Sequence, residues 1–577
     1  MTTSRLTLTQ WLVLAIAAIG FLFDTYELLM TPLVGVPAIA DLAKLPPNHP
    51  SVTGWMGRML WMTALCGGTF GLLGGWLIDR FGRKTIMAAS IFLYAFSPFA
   101  AAFSTSLSMF IFFRCTTFIG VCVEFVAAIT WLAELFPEKR RKEIALGSTQ
   151  AFASLGGLLV TAISVWISTH TDSLPRLPVP EAFNQHAAWR YLLITGIIPA
   201  IPIALMLPFV PESRVWRERR AQGTLTRPSF GALFAPELRR VTLVTAALSA
   251  CAYAAAFGAL QITTRSVVPG LPELAEERAA LKPLRAEAAQ LNKQVDAIMP
   301  AFRTATSSNP ELDQLAAKRA RTRIAQRAAR KAENKEQLTA LAKEFAEYDR
   351  ELDRLTADKP EAKSAVVERE KVLKALGDNR EKQLPFVAAL SARGDKVQLG
   401  QELGGLTGRI LLALLLVTSI PRGRMLRLFL VPGIVVFAVT YSQFYHAGGN
   451  IFAVGIFLCG LFVVAQFSYF GEYLPKIFPV HLRGTGGSFA TNVGGRMIGT
   501  SAAFLSTNII APLLNPQPTW DNYAMAAGIT GVTVFVIALA VSFFLPEPKE
   551  ENEQRDAGAV SKGSPGSVVS TAPGAPL

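Results

Sequence analysis

Long apolar stretches alternate with short polar ones along most of the chain. They fall at about 11–36, 54–77, 85–104, 108–135, 144–168 and 188–209, then at about 241–263, 402–420, 427–446, 449–471, 485–511 and 522–545. Each matches what a hydrocarbon layer of ~30 Å asks of a helix rising ~1.5 Å per residue. The pattern predicts an all-α membrane protein with twelve transmembrane helices. Glycine and proline recur inside these runs, as bilayer helices allow. The first run is too long for a cleaved leader and carries Asp24 and Glu27, so it reads as the first span.

One segment breaks the rhythm. Arg265 to Leu399 holds 26 basic and 21 acidic residues, a composition that belongs in water. Within it Leu281, Leu284, Ala288, Leu291, Val295 and Ile298 repeat at 3-4-3-4-3 spacing, and Leu338, Leu341, Phe345, Tyr348, Leu352 and Leu355 do the same. These coiled-coil-like seams predict a helical hairpin, with Ser307-Ser308-Asn309-Pro310 as the turn between them. The expected divisions are a six-helix half (1–210), a cytoplasmic linker (211–240), helix 7 (241–264), the helical insertion (265–399), the rest of the second half (400–548) and a disordered tail (549–577).

Composition sharpens this picture. Of 577 residues, 51% are hydrophobic and only 17% charged. The net charge of +14 could suggest nucleic acid, but the short basic loops (Arg80/Arg83/Lys84, Lys139–Lys142, Arg214–Arg240, Arg422/Arg424/Arg427, Lys476/Arg483) all lie on one side if the spans alternate. The positive-inside rule places them and both termini in the cytoplasm of an inner-membrane protein, with the insertion extracytoplasmic. The five cysteines lie inside apolar runs and the five histidines in loops or span ends, none at ligand spacing, so no metal, cofactor or disulfide framework is expected. No phosphate-cradling loop supports ATP-driven work, and nothing suggests an enzyme.

The halves look like copies in two registers. Leu135–Arg141 matches Ile477–Arg483 at an offset of 342, and Gly82-Arg83 matches Gly423-Arg424 at 341. Glu134-x-x-Pro137 instead matches Glu472-x-x-Pro475 at 338. In the first register Ile420 stands where Asp79 would be. Two parallel six-helix repeats with a site between them is how many transporters are built.

The segment Gly75–Lys84, GWLIDRFGRK, resembles the loop between the second and third helices of the major facilitator superfamily. The resemblance implies a gating loop made of Gly75, Asp79, Arg80, Gly82, Arg83 and Lys84, and conformational latches at Glu134, Arg141, Glu212, Arg214, Glu472 and Arg483. Ala133–Pro137, Pro211–Arg214 and Leu545–Glu547 look like the sugar-porter and organic-ion branches. Gln150 with Gly156 fits sugar porters, but their Gln-Gln pair in the seventh span is missing. Asp24-x-x-Glu27 looks like the paired acids of aromatic-acid:proton symporters.

Charges at bilayer depth are costly and mark the sites to examine. Asp24 lies about 20 Å from the cytoplasmic end of its span and Arg114 about 10 Å from the opposite end of the fourth, the same height in a ~30 Å core. An Asp24–Arg114 ion pair that exchanges a proton for a substrate charge is therefore expected. Glu27, Glu124, Gln150, Arg409 and Arg496 complete the proton-coupling or substrate set, and the arginines favour an anion. The sequence thus predicts a secondary transporter, a proton-coupled symporter of a small organic anion. The alternatives are a sugar or polyol facilitator, or a sensor or assembly platform acting through the insertion, by a protein partner or self-association.

Overall fold

The computed structural model describes residues 7–45, 50–136, 141, 145–146, 149, 152–180, 184–222, 228–307, 309–331, 334–416, 418 and 420–547. All regular structure among them is helical. In the first half run α1 (Leu8–Ala43), α2 (Pro50–Phe81), α3 (Arg83–Ala101), α4 (Leu107–Leu135), α5 (Ala153–His170) and α6 (Ala188–Phe209). The second half opens with α7 (Arg239–Leu260). The insertion contributes α8 (Ala275–Ser307), α9 (Pro310–Lys331), α10 (Lys335–Leu355) and α11 (Pro360–Leu416). Then come α12 (Arg422–Ala447), α13 (Gly449–Ile477), α14 (Val480–Leu514) and α15 (Trp520–Ser542). Among the described residues eleven helices are long and apolar enough to cross a membrane, and the shorter apolar stretch Leu155–Ser168 stands at the fifth position.

Each half encloses its own apolar core, one running from Val13 to Val210 and the other from Leu233 to Leu545. Hydrocarbon tails are as apolar as leucine, so close backbone approach holds such helices together rather than expulsion from water. Gly156 of α5 shows the geometry: a Cβ there would stand 2.0 Å from the Leu22 carbonyl oxygen of α1. Between the halves, α2 packs lengthwise on α14. Gly75 and Gly484 face each other there, and a Cβ on Gly75 would come within 2.4 Å of the Gly484 oxygen.

The insertion differs from the expected hairpin. Its two seams do lie on buried faces: Leu281, Ala288 and Val295 in α8, Phe345 and Leu352 in α10. Yet α8 packs chiefly along α11, and α10 along α9. The turn at Ser307–Pro310 joins α8 to α9, with Ser308 outside the described residues. Seam spacing reveals a buried face but not which partner covers it. Ala288, Val295, Phe302, Leu312, Leu352, Val366 and Leu376 share one core, so four helices are needed to close it. The soluble and membrane parts are also continuous, because α11 runs 57 residues from the insertion into the eighth span, about 85 Å of unbroken helix.

Candidate functional site at the interface of the two halves

On the face carrying the basic loops, the α2–α3 turn pivots on Gly82, whose φ of 108° favours glycine. The first turn of α3 then presents unpaired N–H groups, and Glu212 accepts them from Arg83 (2.9 Å) and Lys84 (3.0 Å). Behind this cap the Arg83 guanidinium is fully buried. It donates twice to Glu134, at 3.0 Å each, and once to the Val480 oxygen of the second half at 2.8 Å.

Asp79 crosses the boundary more completely. Its carboxylate accepts the Gly484 N–H (2.9 Å), the Thr485 N–H (2.7 Å) and the Thr485 hydroxyl (2.8 Å) at the start of α14. Arg483 adds a contact to Glu134 at 3.3 Å. Asp79, Arg83, Glu134 and Arg483 therefore form one cluster between the halves. Glu212 caps within the first half instead of joining the two. The Arg80 guanidinium stacks over Trp76, 5.0 Å from its ring centroid. Arg214 is exposed at the start of a short helix, and Arg141 is half-buried beside segments outside the described residues.

The second half repeats this arrangement and decides the register. Arg422 pairs with Glu472 at 3.2 Å, as Arg83 does with Glu134, and Glu547 accepts the Arg422 and Gly423 N–H groups, as Glu212 does on the other side. Arg83 thus corresponds to Arg422 and Glu134 to Glu472, close to the offset of 338 and not that of 342. The match of Gly82-Arg83 to Gly423-Arg424 is two residues out of register, and Thr418, not Ile420, stands opposite Asp79. Glu472 also contacts Lys476 and stays within its own half.

Near the middle of the helices lies a second buried cluster. Asp24, Glu27, Arg114, Glu124 and Arg496 are each under a tenth exposed. Arg114 pairs with Glu27 (3.4 Å) and donates to the Glu27 carbonyl (3.2 Å) and the Thr31 hydroxyl (2.6 Å). The expected Asp24–Arg114 pair is therefore replaced by Glu27–Arg114. Asp24 and Glu27 differ in height by only about 4.5 Å, which matching along ideal straight rods cannot separate.

Asp24 instead faces the Glu124 carboxyl, with Arg496 of α14 as its cationic neighbour. All four carboxyl oxygens of Asp24 and Glu124 lack a hydrogen-bond donor among the described residues. Two carboxyls in contact can hydrogen-bond only when one carries a proton. Arg496 reaches this spot from an eleven-residue π-helical stretch, Phe489–Gly499, the kind of local widening often found at functional sites. Its guanidinium lies 6.0 Å from the Phe118 ring and 5.6 Å from the Phe125 ring, both on α4. Asn492, one turn earlier, donates to the Cys122 carbonyl across the boundary at 3.1 Å.

Arg409 has Glu402 on its own helix and Tyr253 as neighbours, and Tyr253 also adjoins Arg496. Gln150 lies outside the described residues. Sequence reasoning missed Asn492, Cys122 and Phe125. For Asn492 the signal was the Gly-rich run around it, which reads equally well as plain helix packing, and Cys122 and Phe125 differ from other apolar residues of α4 only in flanking Glu124. Among the described residues no group of His, Cys, Asp and Glu could hold a metal.

Two helical halves with buried charge between them make an architecture that solved membrane proteins share. Residues 8–277 match the family model of the Major Facilitator Superfamily, and the chain has that superfamily's fold. The proton:xylose symporter XylE superposes with a TM-score of 0.53 at 17% identity, covering 95% of this chain and 98% of that one. The fucose:proton symporter FucP of E. coli gives 0.52 at 12% identity, covering 92% and 99%. In sequence, the cis,cis-muconate transport protein of Acinetobacter baylyi is 27% identical over 217 residues, covering 37% of this chain and 47% of that protein. The niacin transporter of the same organism is 25% identical over 204 residues, covering 35% and 41%. The arabinose-proton symporter of Bacillus subtilis is 28% identical over 167 residues, covering 29% and 34%. The matched region thus spans less than half of each of these curated relatives.

Proposed function

We propose that the protein is a secondary active transporter that carries a small organic anion together with protons by alternating access. The observation behind this reading is that Asp24 and Glu124 of the first half meet Arg496 of the second, buried at the boundary where the halves would part. A substrate carboxylate can take the planar fork of Arg496. Asp24, released from that cation, then accepts a proton and hydrogen-bonds Glu124. With one proton shared between the two carboxyls a single negative charge remains there instead of two, which lowers the cost of closing the halves over the substrate and reopening them on the other side. The basic loops and both termini face the cytoplasm in this scheme, with the insertion outside. The relatives that carry muconate and niacin by name are in keeping with a carboxylate cargo.

A second reading, sugar transport, is favoured by the arabinose-named relative and by the likeness to XylE. Uptake in proteoliposomes separates the two. With the outside acidified we expect accumulation of muconate or niacin, lost in Arg496→Ala and reduced to downhill equilibration in Asp24→Asn. Arabinose or glucose uptake indifferent to Arg496 would establish the sugar reading. No gradient-driven uptake of any of the four would overturn the anion symporter and leave the sensor or platform.

A further inference from the structure

We infer that the insertion is a strap on the face opposite the basic loops, fixed to the second half and gripping the first at the end of α1. This rests on the alternating-access reading. The anchoring to the second half is covalent and broad. Helix α11 passes from the insertion into the eighth span without a break. Arg393 donates to the Gly449 oxygen of α13 and Glu273 accepts the Gly449 N–H at 3.0 Å, while Arg278 braces the joint from inside the insertion by donating to the Pro269 and Leu271 carbonyls at 2.7 and 2.6 Å. The insertion must therefore move with the second half.

Its hold on the first half is narrow. Helix α1 ends on Lys44 in the left-handed conformation, φ 56°, which few residues other than glycine adopt. That turn points the end of α1 at the insertion. The Lys44 ammonium meets Asp313 of α9 at 2.5 Å, and its carbonyl accepts the Arg369 guanidinium of α11 at 3.2 Å. Arg369 is held flat over the Phe302 ring, 4.2 Å from its centroid. The next residue, Leu45, packs on the insertion's own core. Opening the halves on this face would pull Lys44 and Leu45 away from α9 and α11, breaking the Lys44–Asp313 and Lys44–Arg369 contacts and the packing of Leu45. The strap thus resists opening on its side, as the Asp79 and Arg83 contacts resist it on the other.

Spin labels on Ser173→Cys and Gln517→Cys, in a background without native cysteines, report the separation of the halves on this face when the protein is in lipid nanodiscs. Lys44→Gly removes the ammonium while giving the left-handed position the residue that suits it, so α1 keeps its end. We expect the longer-distance population to rise about twofold to fivefold in Lys44→Gly and in Asp313→Asn, since the tie is half-exposed. Adding Arg369→Ala should bring the rise to roughly tenfold. The swap Lys44→Asp with Asp313→Lys should return the distribution toward the parent's. Parent-like distances in the combined variant would overturn the strap, as would a swap that opens the protein as far as the single changes. A parent that shows one distance, unmoved even by Asp79→Asn, would instead overturn the alternating-access reading.

Discussion

Asp79→Asn tests whether the clasp on the basic face holds the halves together or merely decorates them. The Asp79 carboxylate accepts three hydrogen bonds, all from the second half, beside an Arg83 contact at 3.5 Å that stays within the first. The N–H donors belong to the first turn of α14, where a negative charge is best placed. Asparagine keeps one acceptor oxygen but loses the charge and turns an NH2 toward donors. Hydrogen bonds to a charged group contribute ~1.5–3 kcal/mol each, so one or two lost or weakened bonds amount to about 2–3 kcal/mol. None of these bonds survives when the halves part on this side, so the loss falls on the closed state alone. The population open on the basic face should therefore rise about 25- to 150-fold. Spin labels on Thr85→Cys and Arg424→Cys would show it as a longer-distance component. Glu212→Gln is the matched control, because Glu212 bonds N–H groups of its own half: it should lower thermal stability and leave that distance alone. Equal opening by both variants, or none by Asp79→Asn, would refute the reasoning.

Other consequences follow from the same geometry. Arg422→Ala breaks a pair confined to the second half, so it should lower the melting temperature in detergent without shifting the Thr85–Arg424 label distance. Gly156→Ala would drive a methyl to within 2.0 Å of the Leu22 oxygen, and a 1–3 kcal/mol overpacking penalty should show as a clear drop in that same melting temperature. Arg319→Met removes the guanidinium that pairs with Asp349 (2.5 Å) and Glu370 (2.8 Å) inside the insertion. Hydrogen exchange should then accelerate in α9 and α10 and stay unchanged in α1 to α6.

The eleven helices of spanning length among the described residues and the charged loop at Gly75–Lys84 could be read along the chain, because burial in a bilayer imposes long apolar runs that no tertiary detail can hide. The buried acids and arginines were legible for the same reason, since charge inside such a run stands out. Their partners were not. Asp24 and Glu27 sit one turn apart on one face, and only the packing of α1 against α4 assigns Arg114 to Glu27 and leaves Asp24 to Glu124. The repeat register shows the same limit: two alignments differing by a few residues fit the letters, and the paired Arg83–Glu134 and Arg422–Glu472 contacts choose between them. Heptad seams marked the buried faces of α8 and α10 but not that α11 and α9 would cover them. Periodicity along one chain is a local property, whereas the choice of neighbour depends on how separate helices approach, and that distance is set by glycines such as Gly75, Gly156 and Gly484 whose effect appears only when both surfaces are in place.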